Sequence, residues 1–519
     1  MVQSFTDDFQ VTWANPSDAQ VAWIHDPMHF PDPLPALAGE VLVGVYEGFM
    51  NARTTFVNGY AFSTPPSPRP PTPEIMRRGI MDVWTNDFQP KIEENARAIR
   101  GADYERMSLA ELGEAIGSIV ARSVRAFGYT MEAITGFMGP TFGLVEVMER
   151  ELGADGPRLA AMLLQGSQNG TAAAGDGLSV LAEAATARPA VADALSAGRF
   201  GGLREVEGGP EFLEQLDGYL DRFGWRAESW GLMHLPTAAE QPEQVLSMVA
   251  RYLTVPGNGP REAIQRSAAQ RAEVLDQIER RLSPEALTQV RALIEASKAH
   301  VPVSEGRALW QLTTVGSLRV PVLALGRKLV AAGALDAPDD AFYLSSSELR
   351  EAALDPSAAV AATAQQRRIE SARFATLTPP PFIGARLDMA TLPPEMVALV
   401  RLFSGAARPQ VQGQEIKGQA ASPGVVRGRA RVIHHLSEAA KLERGEILVC
   451  AMTAPPWTPL FAIAAGVVTN TGGVLSHSAI CAREYAIPCV VGTQVATHLI
   501  PDGAMISVDG STGIVRIEG

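Results

Sequence analysis

One histidine stands in a sequence context that favours phosphoryl chemistry. The residues Val467–Thr469 predict a strand that ends in a glycine-rich turn, and a helix is predicted to follow with Ser476 and His477 in its opening turn. The first turn of a helix presents backbone N–H groups without partners inside the helix, together with the positive end of the helix dipole. Such a place favours an anion, so a phosphoryl group on the imidazole of His477 would be stabilised there.

Small and polar neighbours of this histidine offer hydrogen bonds or positive charge to phosphoryl oxygens. The predicted supporting set is Thr471, Gly472, Gly473, Ser476, Ser478 and Arg483. The alternative is a histidine that caps a helix in an ordinary α/β domain. The residue pattern alone leaves both interpretations open.

The segment around His477 resembles the mobile phosphohistidine domain of the phosphoenolpyruvate-utilising enzymes. The matching residues are Gly472-Gly473, Ser476-His477, Ala482-Arg483-Glu484 and Ile487-Pro488. Two upstream segments, GQAASPGVVRGRARVI and EILVCAMTAPPWTPLF, resemble the opening and the middle of the same domain. The resemblance covers about residues 415–519. It implies that His477 receives a phosphoryl group at one active site and that the domain then swings to deliver it at another.

The composition places this segment in a soluble protein of several domains. At roughly 100–200 residues per domain, 519 residues correspond to about two to four domains. The net charge of −13 argues against a nucleic-acid partner, which requires a basic surface. The three cysteines (Cys450, Cys481 and Cys489) lack metal-ligand spacing and are odd in number. We therefore expect no metal site, no disulfide framework and a cytoplasmic location.

One uncharged stretch raises the question of a membrane. Ile447–Ala482 contains no Asp, Glu, Lys or Arg and is longer than a membrane span requires. It is interrupted by Pro455, Pro456 and Pro459 and then by the glycine-rich turn, which a spanning helix would tolerate poorly. We therefore predict short buried strands and a loop, and no membrane association.

The remaining sequence predicts a multidomain α+β protein. Helical periodicity dominates from Met81 to about Leu354, and the pairs Ser108/Glu111 and Ser345/Glu348 have the spacing of capping boxes. After Glu415 the segments become short and rich in β-branched residues, with one helix among them.

The predicted division has three parts. Residues 1–405 form a large, mainly α acceptor-binding module that contains a proline-rich connector at 65–73. Residues 406–416 form a linker, and residues 417–519 form a small α/β swivelling phosphohistidine domain.

The order of these parts indicates which members of the family the sequence resembles most. No large barrel follows the histidine motif, and no GxxxxGK[ST] loop occurs in the sequence. An acceptor module followed by a terminal histidine domain resembles the large subunit of phenylphosphate synthase and of hydroxyphenyl-ketone (acetovanillone-type) dikinases. It also resembles the acceptor and histidine domains of rifampin phosphotransferase. The resemblance implies a separate ATP-grasp subunit that binds Mg²⁺ and ATP, with neither bound stably by this chain.

The acceptor module contains aromatic and polar residues suited to an aromatic hydroxyl compound. The acceptor-binding candidates are Trp23, His25, Asp26, His29, Tyr60, Arg226, Glu228 and His234. The general base is one of His25, Asp26, His29, Glu228 or His234, and Arg226 is placed to steady the transferring group. The alternative is that the aromatic residues anchor the core and the histidines cap turns.

The resemblance and the residues together predict a phosphotransferase subunit. His477 would pass a phosphoryl group to the hydroxyl of a small phenolic acceptor, and the overall reaction would convert ATP and an aryl alcohol into AMP, phosphate and an aryl phosphate. One alternative is an antibiotic phosphotransferase subunit of the rifampin type. Two others are a phospho-carrier that regulates a partner without turnover and a structural protein with a vestigial site.

Overall fold

The computed structural model describes residues 8–27, 29–66, 70–164, 170–253, 259–357, 360–386 and 410–518. The chain folds as two compact units. The first comprises Met1–Gly136, Arg226–Pro236 and Gly306–Leu392, and the second comprises Phe137–Trp225, Thr237–Glu305 and Pro393–Gly519. The predicted boundaries near 405 and 417 adjoin residues 387–409, which lie outside the described part of the chain, and they stay predictions.

Helices form most of both units. In chain order they are α1 (Ala36–Phe49), α2 (Pro73–Arg78), α3 (Ile80–Val83), α4 (Gln89–Gly101), α5 (Leu109–Leu152), α6 (Gly156–Leu163), α7 (Gly170–Thr186), α8 (Pro189–Ser196), α9 (Gly209–Tyr219), α10 (Glu243–Tyr252), α11 (Gly259–Glu279), α12 (Pro284–Ala299), α13 (Val301–Ser317), α14 (Arg319–Ala331), α15 (Ser346–Leu354), α16 (Val360–Phe374), α17 (His477–Glu484) and α18 (Ala496–Leu499). This confirms the helical region predicted between Met81 and Leu354.

Both predicted capping boxes are present. The Glu111 backbone N–H donates to Ser108 Oγ at 3.2 Å, and the Ser108 backbone N–H donates to the Glu111 carboxylate at 2.8 Å. Ser345 and Glu348 make the same reciprocal pair at the start of α15. These bonds satisfy backbone donors that the first helical turn leaves unpaired, which is why α5 and α15 begin where the sequence predicts.

A four-stranded antiparallel sheet, which the sequence analysis did not predict, lies in the first unit. Its strands are β1 (Ala22–His25), β2 (Thr54–Val57), β3 (Tyr60–Ser63) and β4 (Phe382–Gly384), in the order β2-β3-β1-β4. Asn58 and Gly59 both have positive φ and join β2 to β3 in a tight hairpin, which suits these two residue types. The loop that follows β1 carries Asp26 and His29.

A nine-stranded sheet organises the end of the second unit. Its strands are β5 (Gln410–Gln412), β6 (Glu415–Lys417), β7 (Gln419–Ser422), β8 (Val425–Val432), β9 (Ile447–Cys450), β10 (Gly466–Thr469), β11 (Cys489–Val491), β12 (Met505–Asp509) and β13 (Ile514–Glu518). The order is β5-β6-β13-β12-β8-β9-β10-β11-β7, with β8, β9, β10 and β11 mutually parallel. The described end of the predicted linker forms β5 and β6.

The parallel centre of this sheet explains the uncharged stretch. β9, β10 and β11 are buried along their whole length, so they read as continuous apolar runs. Helix α17 connects β10 to β11, which is the crossover that neighbouring parallel strands require. A large helical region followed by a small α/β domain confirms the predicted fold class.

Among the described residues, one stretch is apolar and long enough to cross a membrane. It is Val301–Ala331, whose most apolar window has a mean hydropathy of 1.2 and is 72% buried. Val315, Leu318, Val322 and Leu325 from this stretch belong to the apolar core of the first unit. Packing inside a folded unit therefore accounts for its composition, and the stretch is weak evidence for a membrane span.

Candidate functional site

The turn that precedes His477 is built by glycine and a serine cap. Gly472 has a φ of +105°, and a Cβ at this position would lie 2.7 Å from Ser476 Oγ. Only glycine therefore fits without displacing the cap. Ser476 is the N-cap residue of α17, and its hydroxyl accepts from the Ala479 backbone N–H at 3.4 Å. His477 is the first residue of the helix and so lies in its opening turn, as predicted.

Hydroxyl and thiol groups surround the His477 ring. Thr453 Oγ1 lies 2.9 Å from Nδ1 and 2.8 Å from Ser478 Oγ. On the other side of the ring, Thr458 Oγ1 and Cys481 Sγ each lie 3.3 Å from Nε2. Thr458 donates its proton to the Pro455 carbonyl at 2.9 Å, so its oxygen faces the ring as an acceptor. The side chains of these four residues are neutral hydroxyl or thiol groups.

Three of these contacts were absent from the predicted supporting set. Cys481 is four residues after His477, so helical spacing alone would have placed it on the same face. Thr453 follows β9, and His477 follows β10. Because β9 and β10 are parallel neighbours, the residues after their carboxyl ends meet at one edge of the sheet. Thr458 lies in a short 3-10 segment, Pro455–Ala462, for which no periodic signal exists.

The predicted supporting residues take different places. Ser478 reaches the ring through Thr453, whereas the Thr471 hydroxyl donates to the Ala451 carbonyl at 3.2 Å. Gly473 accepts from the Ser476 backbone N–H at 3.0 Å and so closes the turn. Arg483 is buried and donates to the Ala421 carbonyl at 2.9 Å. Burial lowers the pKa of Arg483 to about 10, which leaves it cationic at neutral pH.

The loop before His477 is anchored to helices of the same unit. Val474 and Leu475 pack into an apolar cluster that includes Leu144, Met148 and Leu159. A second link is the Tyr252 hydroxyl, which donates to the Pro459 carbonyl at 3.2 Å. The histidine loop is therefore held against α5 and α6, and the neighbouring 3-10 segment Pro455–Ala462 is held to α10.

A second group of titratable side chains lies in the first unit, on the loop after β1. His29 Nδ1 is 2.6 Å from Asp26 Oδ2, and the side chains are 30% and 29% exposed. The Tyr46 hydroxyl donates to Asp26 Oδ2 at 3.1 Å, and the His29 backbone N–H donates to Oδ1 at 3.2 Å. Burial alone would raise the pKa of Asp26, but the charge on His29 and these hydrogen bonds lower it to about 2.

The other acceptor candidates from this part of the sequence lie in the core. Trp23 and Tyr60 belong to one buried apolar cluster, where the Trp23 indole donates to the Asp18 carbonyl and the Tyr60 hydroxyl donates to the Leu377 carbonyl. His25 is also buried, and its Nε2 donates to the Phe30 carbonyl at 3.1 Å. Burial lowers the pKa of His25 to about 4, against the attraction of Asp26.

The structure brings the segment Arg226–Pro236 against this loop. The Trp230 ring meets the His29 ring edge to face, with 4.7 Å between centroids. Arg226 is buried, and Glu228 and His234 are partly exposed on the same segment. Their assignment to acceptor binding stays a prediction. Among the described residues, no group of three or more His, Cys, Asp or Glu side chains is placed to hold a metal ion.

The comparison with protein families gives two matches. Residues 442–513 match the mobile domain of the PEP-utilising enzymes, and residues 127–305 match the fourth domain of rifampicin phosphotransferase. The first match contains His477 and the three residues described above whose side chains lie beside its ring nitrogens, Thr453, Thr458 and Cys481. The second lies mostly within the second unit.

Individual relatives extend these matches. A chondramide synthase from Chondromyces crocatus is 30% identical over 552 residues, covering 98% of this chain and 14% of the synthase. A rifampicin phosphotransferase from a Streptomyces species is 31% identical over 443 residues, covering 79% of this chain and 49% of the relative. The rifampicin phosphotransferase of Bacillus cereus is 28% identical over 61% of this chain and 35% of its own length. The chain thus spans half or less of the length of these relatives.

The matched domains and the geometry of the His477 turn agree with the resemblance drawn from the sequence. Residues 442–513 of the chain carry the mobile domain of the PEP-utilising enzymes, and residues 127–305 are similar to a domain of rifampicin phosphotransferase.

Proposed function

We propose that this chain is a phosphotransferase that carries a phosphoryl group on His477 and delivers it to a hydroxyl group of an antibiotic-type acceptor. The observation that carries the proposal is the His477 ring itself. It stands at the amino end of α17 with a threonine hydroxyl 2.9 Å from Nδ1. Both the helix end and the hydroxyl groups favour an added phosphoryl group.

The relatives support the choice of acceptor. Two of the relatives described above are named rifampicin phosphotransferases, and residues 127–305 match a domain of that enzyme. These names favour an antibiotic hydroxyl over the small phenol that the sequence analysis placed first. The small phenol stays a prediction and is included in the test below.

The phosphoryl source in this proposal is Mg-ATP bound to an ATP-grasp module on a separate subunit. The Streptomyces relative is about twice as long as the region that this chain matches, so it has room for further modules. The overall reaction would then consume ATP and the acceptor hydroxyl and release AMP, phosphate and the phosphorylated acceptor. Catalysis of each transfer would depend on positioning and on charge neutralisation.

The test separates loading of the histidine from delivery. We would treat the purified chain with phosphoramidate, which phosphorylates imidazole without an enzyme, and locate the phosphate by peptide-resolved mass spectrometry under conditions that preserve phosphohistidine. His477→Ala removes the carrier, and His434→Ala, which changes an exposed histidine of the same domain, is the matched control. The loaded protein is then mixed with rifampicin or with phenol.

The expected result is phosphate on His477 in the wild type and in His434→Ala, discharged by rifampicin faster than by water. Discharge by phenol alone would restore the small-phenol prediction. Loading of His477 without discharge by either compound would contradict the proposed acceptor class. A His477→Ala variant that still phosphorylates rifampicin would remove His477 from the reaction.

A further inference from the structure

We infer that His29, oriented by Asp26, is the general base that takes the proton from the acceptor hydroxyl. The inference rests on the proposed function and names the residue that makes the acceptor oxygen nucleophilic. Sequence reasoning left five candidates for this role. The contacts of Asp26, His29, Tyr46 and Trp230 favour His29, and all four residues lie in the first unit.

Asp26 is held as a carboxylate that points at one nitrogen of His29. Its oxygens accept from the Tyr46 hydroxyl, from the His29 backbone N–H and from His29 Nδ1 at 2.6 Å. The two residues are three apart on a short loop, so the chain itself fixes their separation. An ionised carboxylate accepts hydrogen bonds and donates none, and therefore the proton between the two groups belongs to Nδ1.

This assignment fixes the tautomer of the neutral ring. With the proton on Nδ1, the lone pair lies on Nε2, the nitrogen on the far side of the ring from Asp26. Nε2 makes no hydrogen bond to any residue that the structure describes, and the side chain is 30% exposed. A base needs a lone pair that a hydroxyl can approach, and this nitrogen has one.

The Trp230 side chain holds the ring from the side. Its indole meets the His29 ring edge to face, and its Nε1–H donates to Gln311 Oε1 at 2.8 Å. The Gln311 amide in turn donates to Thr130 Oγ1 at 2.8 Å, and Arg307 donates to the same Gln311 oxygen as Trp230. The indole is thus fixed by a chain of buried and partly buried hydrogen bonds, which limits rotation of the His29 ring.

The neighbouring histidine lacks these properties. His25 donates through Nε2 to the Phe30 carbonyl, and its ring is enclosed by Tyr60 and Phe62. An acceptor hydroxyl cannot approach a nitrogen that is buried and already bonded. His25 therefore stabilises the loop, and of these two histidines His29 is the one that can exchange a proton with a substrate.

The transfer step exchanges one bond to phosphorus for another. The P–N bond to His477 breaks while a P–O bond to the acceptor oxygen forms, and the hydroxyl proton moves to Nε2 of His29. The electron pair of the broken bond stays on the His477 ring, which takes a proton from solvent and departs as neutral imidazole. His29 later releases its proton to solvent, and the Asp26 carboxylate stabilises the His29 imidazolium in the meantime.

The experiment compares loading and discharge in variants of the full chain. His29→Ala and Asp26→Asn are loaded with phosphoramidate beside the wild type, and discharge to rifampicin or phenol is followed. Asp103→Asn, which removes an exposed carboxylate of the same unit, is the matched control. We expect normal loading of His477 in every variant, discharge slowed about 10²–10⁴-fold in His29→Ala, and recovery of at least tenfold when imidazole is added.

A second measurement reports on His29 without any acceptor. Nitrogen NMR of histidine-labelled protein is expected to show the Nδ1–H tautomer for His29 in the wild type and a mixture of tautomers in Asp26→Asn. His29→Ala that discharges at the wild-type rate, or wild-type His29 with its proton on Nε2, would overturn the inference. Wild-type protein that loads but discharges to neither compound would instead refute the proposed function, and the inference with it.

Discussion

His477 and His29 each have one ring nitrogen in a short contact, but the atoms that make the contacts differ. At His477 the partner of Nδ1 is a threonine hydroxyl at 2.9 Å, and a threonine and a cysteine lie beside Nε2. At His29 the partner of Nδ1 is a carboxylate at 2.6 Å, and Nε2 has no hydrogen-bond partner within the described part of the chain. The first ring sits at a helix end in the α/β part of the second unit, and the second sits on a loop after a strand in the first unit.

The difference follows from what each ring has to do in the proposed reaction. A carrier must accept a phosphoryl dianion and release it, so a permanent negative charge beside the ring would oppose loading. A base must become an imidazolium, so a carboxylate beside the ring lowers the energy of that state. Hydroxyl partners for one histidine and a carboxylate partner for the other therefore suit a nucleophile and a base.

The largest effect is expected from placing a carboxylate beside the His477 ring, which would make its surroundings resemble those of His29. Thr453→Asp places a negative charge about 4 Å from the phosphoryl group, and repulsion of about 4 kcal/mol at that separation is expected to slow loading about 10³-fold. Thr453→Asn, which is neutral and of the same shape, is the control. The measurement is the rate of phosphate incorporation at His477. Equal rates in the two variants would show that the charge of the ring's partner is irrelevant.

The next test separates His25 from His29 by the pH dependence of stability. The pKa of buried His25 is about 4, against 6.5 in the unfolded chain, so only the unfolded chain binds a proton between these values. The contribution of neutral His25 to the free energy of unfolding is therefore fully present above pH 6.5. It falls by about 3 kcal/mol as the pH drops to 4. Asp26, with a pKa of about 2, adds a further loss only at lower pH.

His25→Gln cannot titrate but retains a donor for the Phe30 carbonyl. We expect its free energy of unfolding, measured with urea at a series of pH values, to fall by about 3 kcal/mol less than that of the wild type between pH 7 and 4. The same slope in both proteins would mean that His25 is not the group that titrates.

A smaller effect is expected from the hydroxyl that supports Asp26. Tyr46→Phe removes one of the hydrogen bonds that the Asp26 carboxylate accepts, and a bond to a charged group contributes about 1.5–3 kcal/mol. Discharge to the acceptor should slow about tenfold, with loading of His477 unchanged. Tyr104→Phe, at a buried tyrosine of the same core, is the control for the loss of a hydroxyl. Slower loading of His477 in Tyr46→Phe would contradict the role of Tyr46 as a support for Asp26 in the discharge step alone.

The smallest effect concerns the thiol beside His477. Cys481→Ala removes the contact at 3.3 Å from Nε2, and a weak sulfur contact of this kind should change the loading rate only about two- to threefold. Cys481→Ser keeps a polar atom at the same position and should restore most of the rate. A tenfold or larger loss of the loading rate in Cys481→Ala would show that the thiol contributes more to loading than a weak contact can. It would contradict the view that hydroxyl groups are the main partners of the His477 ring.

Local signals in the sequence were sufficient for much of this structure. The capping boxes at Ser108 and Ser345, the buried strands β9 to β11 and the helix that starts at His477 all depend on residues close together in the chain. The sheet of the first unit could not be predicted in this way, because β4 pairs with β1 across more than three hundred residues. Such a partner leaves no periodic signal near Trp23.

The same limit applies to the candidate sites. Asp26 and His29 were named as candidates, but their pairing and the contact with Trp230 depend on how α1 and the segment Arg226–Pro236 pack around the loop. At the carrier site, Thr453 and Thr458 are found only when β9 and β10 are known to be neighbours. The sequence is therefore enough to identify the two histidines, but most of the residues that contact them can be identified only from the folded structure.

The histidine loop cannot lift off the helices without exposing the side chain of Leu475 to water. Its side chain is 7% exposed inside the helical cluster, and only Ser476 separates it from His477. Lifting the loop off the helices returns this leucine to solvent, at a cost of about 2 kcal/mol, so the lifted loop is disfavoured about thirtyfold by this side chain alone. One buried methylene corresponds to about 0.8 kcal/mol. Each methylene removed at position 475 would therefore make the open loop about four times as frequent.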